Sequence, residues 1–221
     1  MTVRLAPSLL SADFSCLADE VRDVAAAGAD LLHLDIMDGH FVPNLTFGPP
    51  LVSSLAGICS IPFDAHLMVT DPDSLIADLA EARVARIAVH VETCTHLHRT
   101  LQSIREHGLE SGVAINPASS LALLEEALDW VDFVLVMSVD PGFGGQNFIV
   151  ESVDKIRRLR AMAGSRRLDI SVDGGVDHTN AATLTAAGAS TLIAGSAIFG
   201  CDDRGAALAR LRAAASDGGS R

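Results

Sequence analysis

A single (β/α)8 barrel of the TIM type is the fold this chain predicts, and three observations predict it. Eight short β-branched or Leu-rich runs alternate with longer stretches of helical period along 221 residues. With 49% apolar and 20% charged residues, the chain suits one domain with a sizeable core, and barrels of this kind commonly exceed 200 residues. No linker, low-complexity stretch or composition break interrupts it before a Gly/Ser-rich tail. The expected organisation is therefore one domain over 1–216 and a flexible tail over 217–221. An open doubly wound sheet is the competing architecture.

Strands are expected at 5–9, 31–37, 62–68, 87–91, 113–116, 133–137, 168–173 and 191–195. In the first helical stretch, Phe14, Leu17, Val21 and Val24 recur at helical spacing behind Asp13, a candidate N-cap, and Gly28 closes the far end. Gly188 ends the stretch 180–187 in the same way. The gap between the sixth and seventh strands has room for a helix and more.

Charge and residue usage exclude whole classes of function. Sixteen Lys plus Arg against 28 Asp plus Glu leave a net charge of −12, which opposes a nucleic-acid or anionic-membrane surface; Arg157, Arg158 and Arg160 form the one basic cluster. No apolar run approaches the ~20 residues of a membrane span. The first residues do not read as a secretory signal, so a cytoplasmic location is expected. Cys16, Cys59, Cys94 and Cys201 lie far apart without a Cys-x-x-Cys pair, which reads as reduced thiols. The chain has no Tyr and a single Lys, Lys155, so Tyr acids and most Lys-based mechanisms are excluded.

Strands of a parallel barrel are covered on both faces, so polar residues inside them need a reason. In the second strand, period two puts His33, Asp35 and Met37 on one face and Leu32, Leu34 and Ile36 on the other. The aliphatic face fits against helices, which turns the polar face into the barrel, rising towards its C-terminal mouth. The third strand places His66 and Met68 on one parity. The seventh alternates polar with apolar and ends in Asp173-Gly174-Gly175. His33, Asp35, His66 and Asp173 thus converge at strand ends as two imidazoles and two carboxylates, a set that suits zinc, iron, manganese or cobalt as a divalent ion. His40, His90, His96, His98, His107 and His178 read as surface or supporting residues, with His90, at a strand end, the nearest to the cluster.

Glycine-bearing turns form a second constellation. Pro141-Gly142-Phe143-Gly144-Gly145 follows the sixth strand, Gly174-Gly175 the seventh, and Gly195-Ser196 the eighth. Turns at these places hold phosphate in related barrels through backbone N–H groups, which would let an acidic chain with one Lys bind an anion. Met37, Met68 and Met137 end the second, third and sixth strands, either as core filling or as an apolar lid that excludes water.

Several long motifs carry a resemblance. They are Pro7-Ser8-Leu9-Leu10-Ser11-Ala12-Asp13, the run from Leu34-Asp35-Ile36-Met37-Asp38-Gly39 to Pro43-Asn44, and Ala65-His66-Leu67-Met68-Val69. Val136-Met137-Ser138-Val139-Asp140 continuing through Gly145-Gln146, Asp173-Gly174-Gly175-Val176, and Ala194-Gly195-Ser196-Ala197-Ile198-Phe199 complete the set. In this order they resemble the ribulose-phosphate 3-epimerase family from about Leu5 to Phe199.

The resemblance implies a ribulose-phosphate-binding barrel that interconverts D-ribulose 5-phosphate and D-xylulose 5-phosphate. It implies one divalent metal per subunit on His33, Asp35, His66 and Asp173, with Asp35 and Asp173 also serving as acid and base. Ser8, His66, Met37, Met68 and Met137 would line the substrate pocket, and Gly142, Gly144, Gly145, Gly174, Gly175, Gly195 and Ser196 would surround the phosphate. It also implies a homo-oligomer, dimer or hexamer. The alternatives are 3-epimerisation of D-allulose 6-phosphate and a non-catalytic sugar-phosphate sensor. Epimerising C3 beside a C2 ketone removes a proton from one face and returns one to the other through an enediolate. One acid/base group on each face is then required, and the second and seventh strands are expected roughly opposite one another in the ring.

Overall fold

The computed structural model describes residues 3–218. Eight strands form one parallel sheet: β1 (Arg4–Pro7), β2 (Leu32–Met37), β3 (Phe63–Met68), β4 (Val84–His90), β5 (Glu110–Ile115), β6 (Phe133–Met137), β7 (Asp169–Asp173) and β8 (Thr191–Ala194). The order β1-β8-β7-β6-β5-β4-β3-β2 leaves β1 and β2 at its two ends, and these meet. Their seam is an isolated parallel bridge between Ser8 and His33, with the N–H groups of Asp30 and Leu31 donating to the Leu5 carbonyl at 3.0 and 3.3 Å. The ring is thus a single (β/α)8 barrel, closed at its seam by fewer hydrogen bonds than elsewhere.

The helices are α1 (Leu17–Ala26), α2 (Pro49–Leu55), α3 (Ile76–Glu81), α4 (Leu97–Glu106), α5 (Ser152–Ala163), α6 (Ala181–Ala187), α7 (Ser196–Phe199) and α8 (Arg204–Gly218). Every strand except β5 is followed by an α-helix. After β5 the chain makes only a 3-10 turn, Leu121–Leu124, capped by the Ser120 hydroxyl. Leu121 and Leu124 are nevertheless buried, so this short turn covers its part of the sheet.

Burial follows the pleat. Leu32, Leu34 and Ile36 of β2 are at most 2% exposed and join the large cluster between sheet and helices. Ala6, Ala88, Ala114, Phe133, Leu135, Met137 and Ile193 fill the interior. Space inside is rationed by size: a Cβ on Gly112 would stand 2.2 Å from the Phe133 ring, so only glycine admits that ring.

Three expectations need adjustment. Asp13 caps a 3-10 turn, Phe14–Cys16, because its Oδ1 accepts both the N–H and the hydroxyl of Ser15; α1 starts only at Leu17. Phe14 is consequently 48% exposed and lies against Phe47. β4 and β5 begin before the predicted 87 and 113, since polar residues in their first turns are buried with partners. Finally, α8 runs through Gly218, so the tail expected from Asp217 starts inside a helix; residues 219–221 lie outside those described. Gly28 and Gly188 do end their helical stretches, with φ of 86° and 112°.

Candidate active site

Register brings the site together. β2 and β3 pair so that Asp35 stands beside His66 and Met37 beside Met68, while β7 ends at Asp173, next to Met137 of β6. One ligand atom from each of His33, Asp35, His66 and Asp173 lies within 4.8 Å of the others. His66 Nδ1 is 3.3 Å from Asp35 Oδ1 and 4.0 Å from Asp173 Oδ2; His33 Nε2 is 3.4 Å from Asp35 Oδ1. Thus the four residues singled out by strand parity do converge. β2 and β7 are three steps apart around the ring, through β1 and β8, and so are not diametrically opposed.

The arrangement fits a divalent cation. His33 is fully buried and its Nε2 has no hydrogen-bond partner, while its Nδ1 is held at 2.8 Å by Asp64 Oδ2. A buried nitrogen left without a partner is costly unless something occupies its lone pair. Asp64 aims that lone pair at Asp35, in the way a carboxylate behind a ligating imidazole sets ring orientation. Two nitrogens and two carboxylates without thiolate form an N/O donor set of the catalytic kind.

The two carboxylates are polarised in opposite directions. Burial alone would raise Asp35, but the adjoining His33 and His66 imidazoles hold it far below the usual carboxylate range. Ser8 adds a hydroxyl donated to Asp35 Oδ2 at 2.6 Å. Asp173 is pushed up to about 7, first by burial and then by the charge of Asp35. One carboxylate is thus held ionised while its neighbour's affinity for a proton is raised.

Above the cluster lies a cavity. Its wall is made by Ser8, Leu10 and Ser11 after β1, the three methionines, residues 139–146 after β6, 173–176 after β7, and Ile193, Gly195 and Ser196 of β8 and its turn. Asp35 and Asp173 open onto it; His33 and His66 do not line it. The expected glycines, Gly142, Gly144, Gly145, Gly174, Gly175 and Gly195, all stand on this wall, and no Lys or Arg does. Gly195 is needed for a physical reason: a Cβ there would meet Ser11 Oγ at 2.4 Å. Met37 and Met68 pack together with Val42 and Phe41, whereas Met137 belongs to the barrel interior, so the apolar lid is two methionines and a loop.

Sequence reading passed over several participants. Leu10, Ser11, Gln146 and Ile193 line the cavity, and Gln146 donates to the Asp140 and Phe143 carbonyls, holding the glycine turn. Asn44 donates to Gly142 from the loop after β2. His90 is fully buried and packs on His66, with ring centroids 5.0 Å apart. Burial first, with the nearby His66, pushes it down to about 4 despite Glu92. At the strand starts, Arg86 is 1% exposed and pairs with Asp64 and Asp169 at 2.8 and 2.7 Å while lying 4.3 Å from the Phe133 ring centroid. A Pro-free strand with two polar neighbours gives some hint of these pairs, but only register joins them.

The fold and site define a class first: a glycine-walled cavity and an N/O metal-type cluster at the C-terminal mouth of a (β/α)8 barrel. Comparison with known proteins narrows it. A model of the ribulose-phosphate 3 epimerase family matches residues 4–199, and the chain belongs to that family, a family of isomerases. Ribulose-phosphate 3-epimerase of Bacillus subtilis is 46% identical over 213 residues, covering 95% of this chain and 98% of the relative. The chloroplastic ribulose-5-phosphate-3-epimerase of Arabidopsis thaliana is 44% identical over 95% of this chain and 76% of its own. Among solved structures, KGPDC from Streptococcus mutans superposes with a TM-score of 0.75 at 14% identity, covering 98% of each chain, which shows the shared fold. No helix among the described residues is long and apolar enough to cross a membrane.

Proposed function

We propose that the protein interconverts D-ribulose 5-phosphate and D-xylulose 5-phosphate by two-base proton transfer at C3, with a divalent ion held by His33, Asp35, His66 and Asp173. The observation that carries this reading is the pair Asp35 and Asp173: both open onto one cavity, from strands three steps apart, with opposed proton affinities. A group that accepts a proton and a group that donates one are needed at the same moment, and this pair supplies both. The ion, when bound, supplies Lewis-acid stabilisation of the negative charge that develops on the substrate oxygens.

The chain's own residues do the rest. Ser8 fixes Asp35 by occupying Oδ2, leaving the other oxygen towards the cluster. Met37, Met68 and Met137 give the cavity an apolar side that keeps water from the carbanionic centre. The phosphate is placed against the turns 142–145, 174–175 and 195–196, where backbone N–H groups are the donors available beside Ser11 and Ser196. Lys155 is remote from this wall: its ammonium donates to the carbonyls of Asn116, Pro117 and Ser119.

The test is isotope entry. In deuterated water the metal-replete protein should convert either pentulose phosphate with solvent deuterium appearing at C3. Binding of both sugars with no exchange at C3 would make the protein a sensor and overturn the proposal. Faster turnover of D-allulose 6-phosphate, assayed beside them, would reassign the substrate.

A further inference from the structure

A line of hydrogen bonds leaves the cluster on the β4 side. His66 Nε2 is 2.8 Å from His90 Nε2. His90 Nδ1 is 3.0 Å from Glu92 Oε2. The other carboxylate oxygen, Glu92 Oε1, accepts the Asn116 N–H at 2.9 Å and the Ser119 hydroxyl. Lys155 in turn holds the segment that bears these donors, through three backbone carbonyls at 2.7–2.8 Å. His90 is enclosed, fully buried and covered by the Phe41 ring at 4.7 Å.

Carboxylates stand at both ends of the line, and the closer contact, His90 with Glu92 at 3.0 Å against His66 Nδ1 with Asp35 at 3.3 Å, favours one arrangement. A carboxylate brings no hydrogen, so the hydrogen between Glu92 and His90 sits on His90 Nδ1. The uncharged His90 ring then presents a lone pair at Nε2. The bond between the two histidines therefore takes its hydrogen from His66 Nε2. What remains on His66 for a cation is Nδ1, the atom that faces Asp35 and Asp173, where a cation would displace whatever hydrogen the ring shares with Asp35. Were the line reversed, a hydrogen would point into the cluster and that atom could not bind a cation.

We infer that Glu92 is a positioning residue which, acting through His90, sets the tautomer of His66 and so makes His66 Nδ1 a metal ligand. The inference rests on the metal reading of the cluster and deepens it: the ion's affinity is set from two residues away, by a side chain outside the cavity wall. Asp64 does the corresponding work directly on His33. Lys155, at the far end, keeps the 116–119 segment where it orients Glu92.

Two substitutions separate direction from mere support. In Glu92→Gln the amide oxygen is required at the Oε1 place by the Asn116 N–H, which leaves the NH2 group against His90 Nδ1. That reverses every hydrogen in the line and puts one on His66 Nδ1. In Glu92→Ala the direction is only released, and His90 adopts either tautomer. The chelator-treated wild type and both variants would be titrated with Zn²⁺ in a competition assay and with Co²⁺ followed by visible absorption. We expect Glu92→Gln to weaken binding about 10–100-fold and Glu92→Ala to weaken it less. A Glu92→Gln variant that binds like wild type, or one that loses less than Glu92→Ala, would make Glu92 a simple loop support and overturn the inference.

A second measurement needs no metal. Imidazole ¹⁵N–¹H correlation spectra of the metal-free wild type, with His66→Gln to assign the signal, should show His66 protonated at Nε2, and Glu92→Gln should move the hydrogen to Nδ1. A wild-type His66 protonated at Nδ1 and not at Nε2 defeats the relay even if the protein binds the ion. The Nε2 tautomer in a wild type that takes up neither Zn²⁺ nor Co²⁺ defeats the metal reading, and the role assigned to Glu92 falls with it.

Discussion

Asp35 and Asp173 are the same side chain held in opposite states, and the difference is made by what each one touches. Asp35 has two imidazoles and a serine hydroxyl; Asp173 has burial and the charge of Asp35. Asn replaces either with little change of shape but cannot accept the C3 proton. Each Asp→Asn change should stop epimerisation, with a loss beyond the ~10²–10⁴ of one acid/base group wherever metal binding also suffers. In deuterated water a metal-replete variant should still exchange the C3 proton of one epimer, and the two variants should choose opposite epimers. Equal exchange from both epimers by one variant would point to a single mobile base. Arg86 makes the opposite case, a buried charge with no part in the chemistry. It neutralises Asp64 and shares Asp169 with Arg4 at the strand starts, so Arg86→Ala leaves the buried Asp64 with only His33 beside it and should cost about 3–5 kcal/mol in urea unfolding. Replacing it with methionine, together with Asp64→Asn, should cost less than Arg86→Ala alone if the loss is charge and not packing. The four candidate ligands were legible in the sequence because period two inside a strand is a strong rule. His90 was legible as a strand-end neighbour of the cluster, whereas Asp64, Arg86 and Glu92 were not, since their meaning depends on which strands lie side by side, and the sequence carries no direct record of register.

Elements divide the labour: strands aim the side chains, and the turns after them make the wall. Turn conformation is set where glycine permits it. Gly145 has φ of 73° and open space around its Cβ position, so Gly145→Val strains the backbone without a collision. Gly175 has φ of 62°, and a Cβ there would reach the Phe148 backbone at 2.7 Å, so Gly175→Val must displace a loop as well. Both should raise KM for the phosphorylated sugar, Gly175→Val more strongly, and Ser196→Pro should raise it by deleting one backbone donor. Lys155→Ala should leave KM nearly unchanged while lowering Tm, because three carbonyls lose a shared ammonium. A KM effect from Lys155→Ala as large as that of the glycine changes would defeat the backbone account of phosphate binding. Strand identity was readable throughout, because apolar runs bounded by turn residues are a local signal. The start of β4 was hidden by Arg86, which the fold pairs with Asp64 and Asp169, that of β5 by Ser111, which it pairs with Asp132, and the missing helix after β5 by apolar residues that suit a 3-10 turn as well.

For the whole molecule, most of the apolar core lies apart from the site. The proposed ligands sit at the mouth while the large apolar clusters fill the space behind them, so chelation should abolish turnover and leave the barrel's far-ultraviolet spectrum intact. Full activity after chelation would sink the metal assignment. Stability of the metal-free protein should then carry the signature of Asp173. Its folded pKa is raised, so between about pH 4 and about pH 7 the folded state keeps a proton that the unfolded chain has lost, and this contribution declines as pH rises. Neutral His66 and His90 act with the opposite sign over part of that range, since both are held below the ordinary histidine value. The useful quantity is therefore the Tm of wild type minus that of Asp173→Asn, which should fall as pH rises from about 5 to about 7. A difference that stays flat or grows would show that Asp173 is not raised.

The β1–β2 seam gives the barrel a preferred place to breathe. One bridge joins Ser8 to His33, and the same two residues hold Asp35 on either side: the hydroxyl of one on Oδ2, the ring of the other beside Oδ1. On the proposed reading, an ion on His33 and Asp35 would act as a rivet across the weakest joint of the cylinder, and substrate contacts at Ser8 would add a second. Amide hydrogens along β1 and the start of β2 should exchange faster than those of β4 to β6 in the metal-free state and slow selectively on loading. Filling the active site would then tighten the fold at the point where the ring was left nearly open.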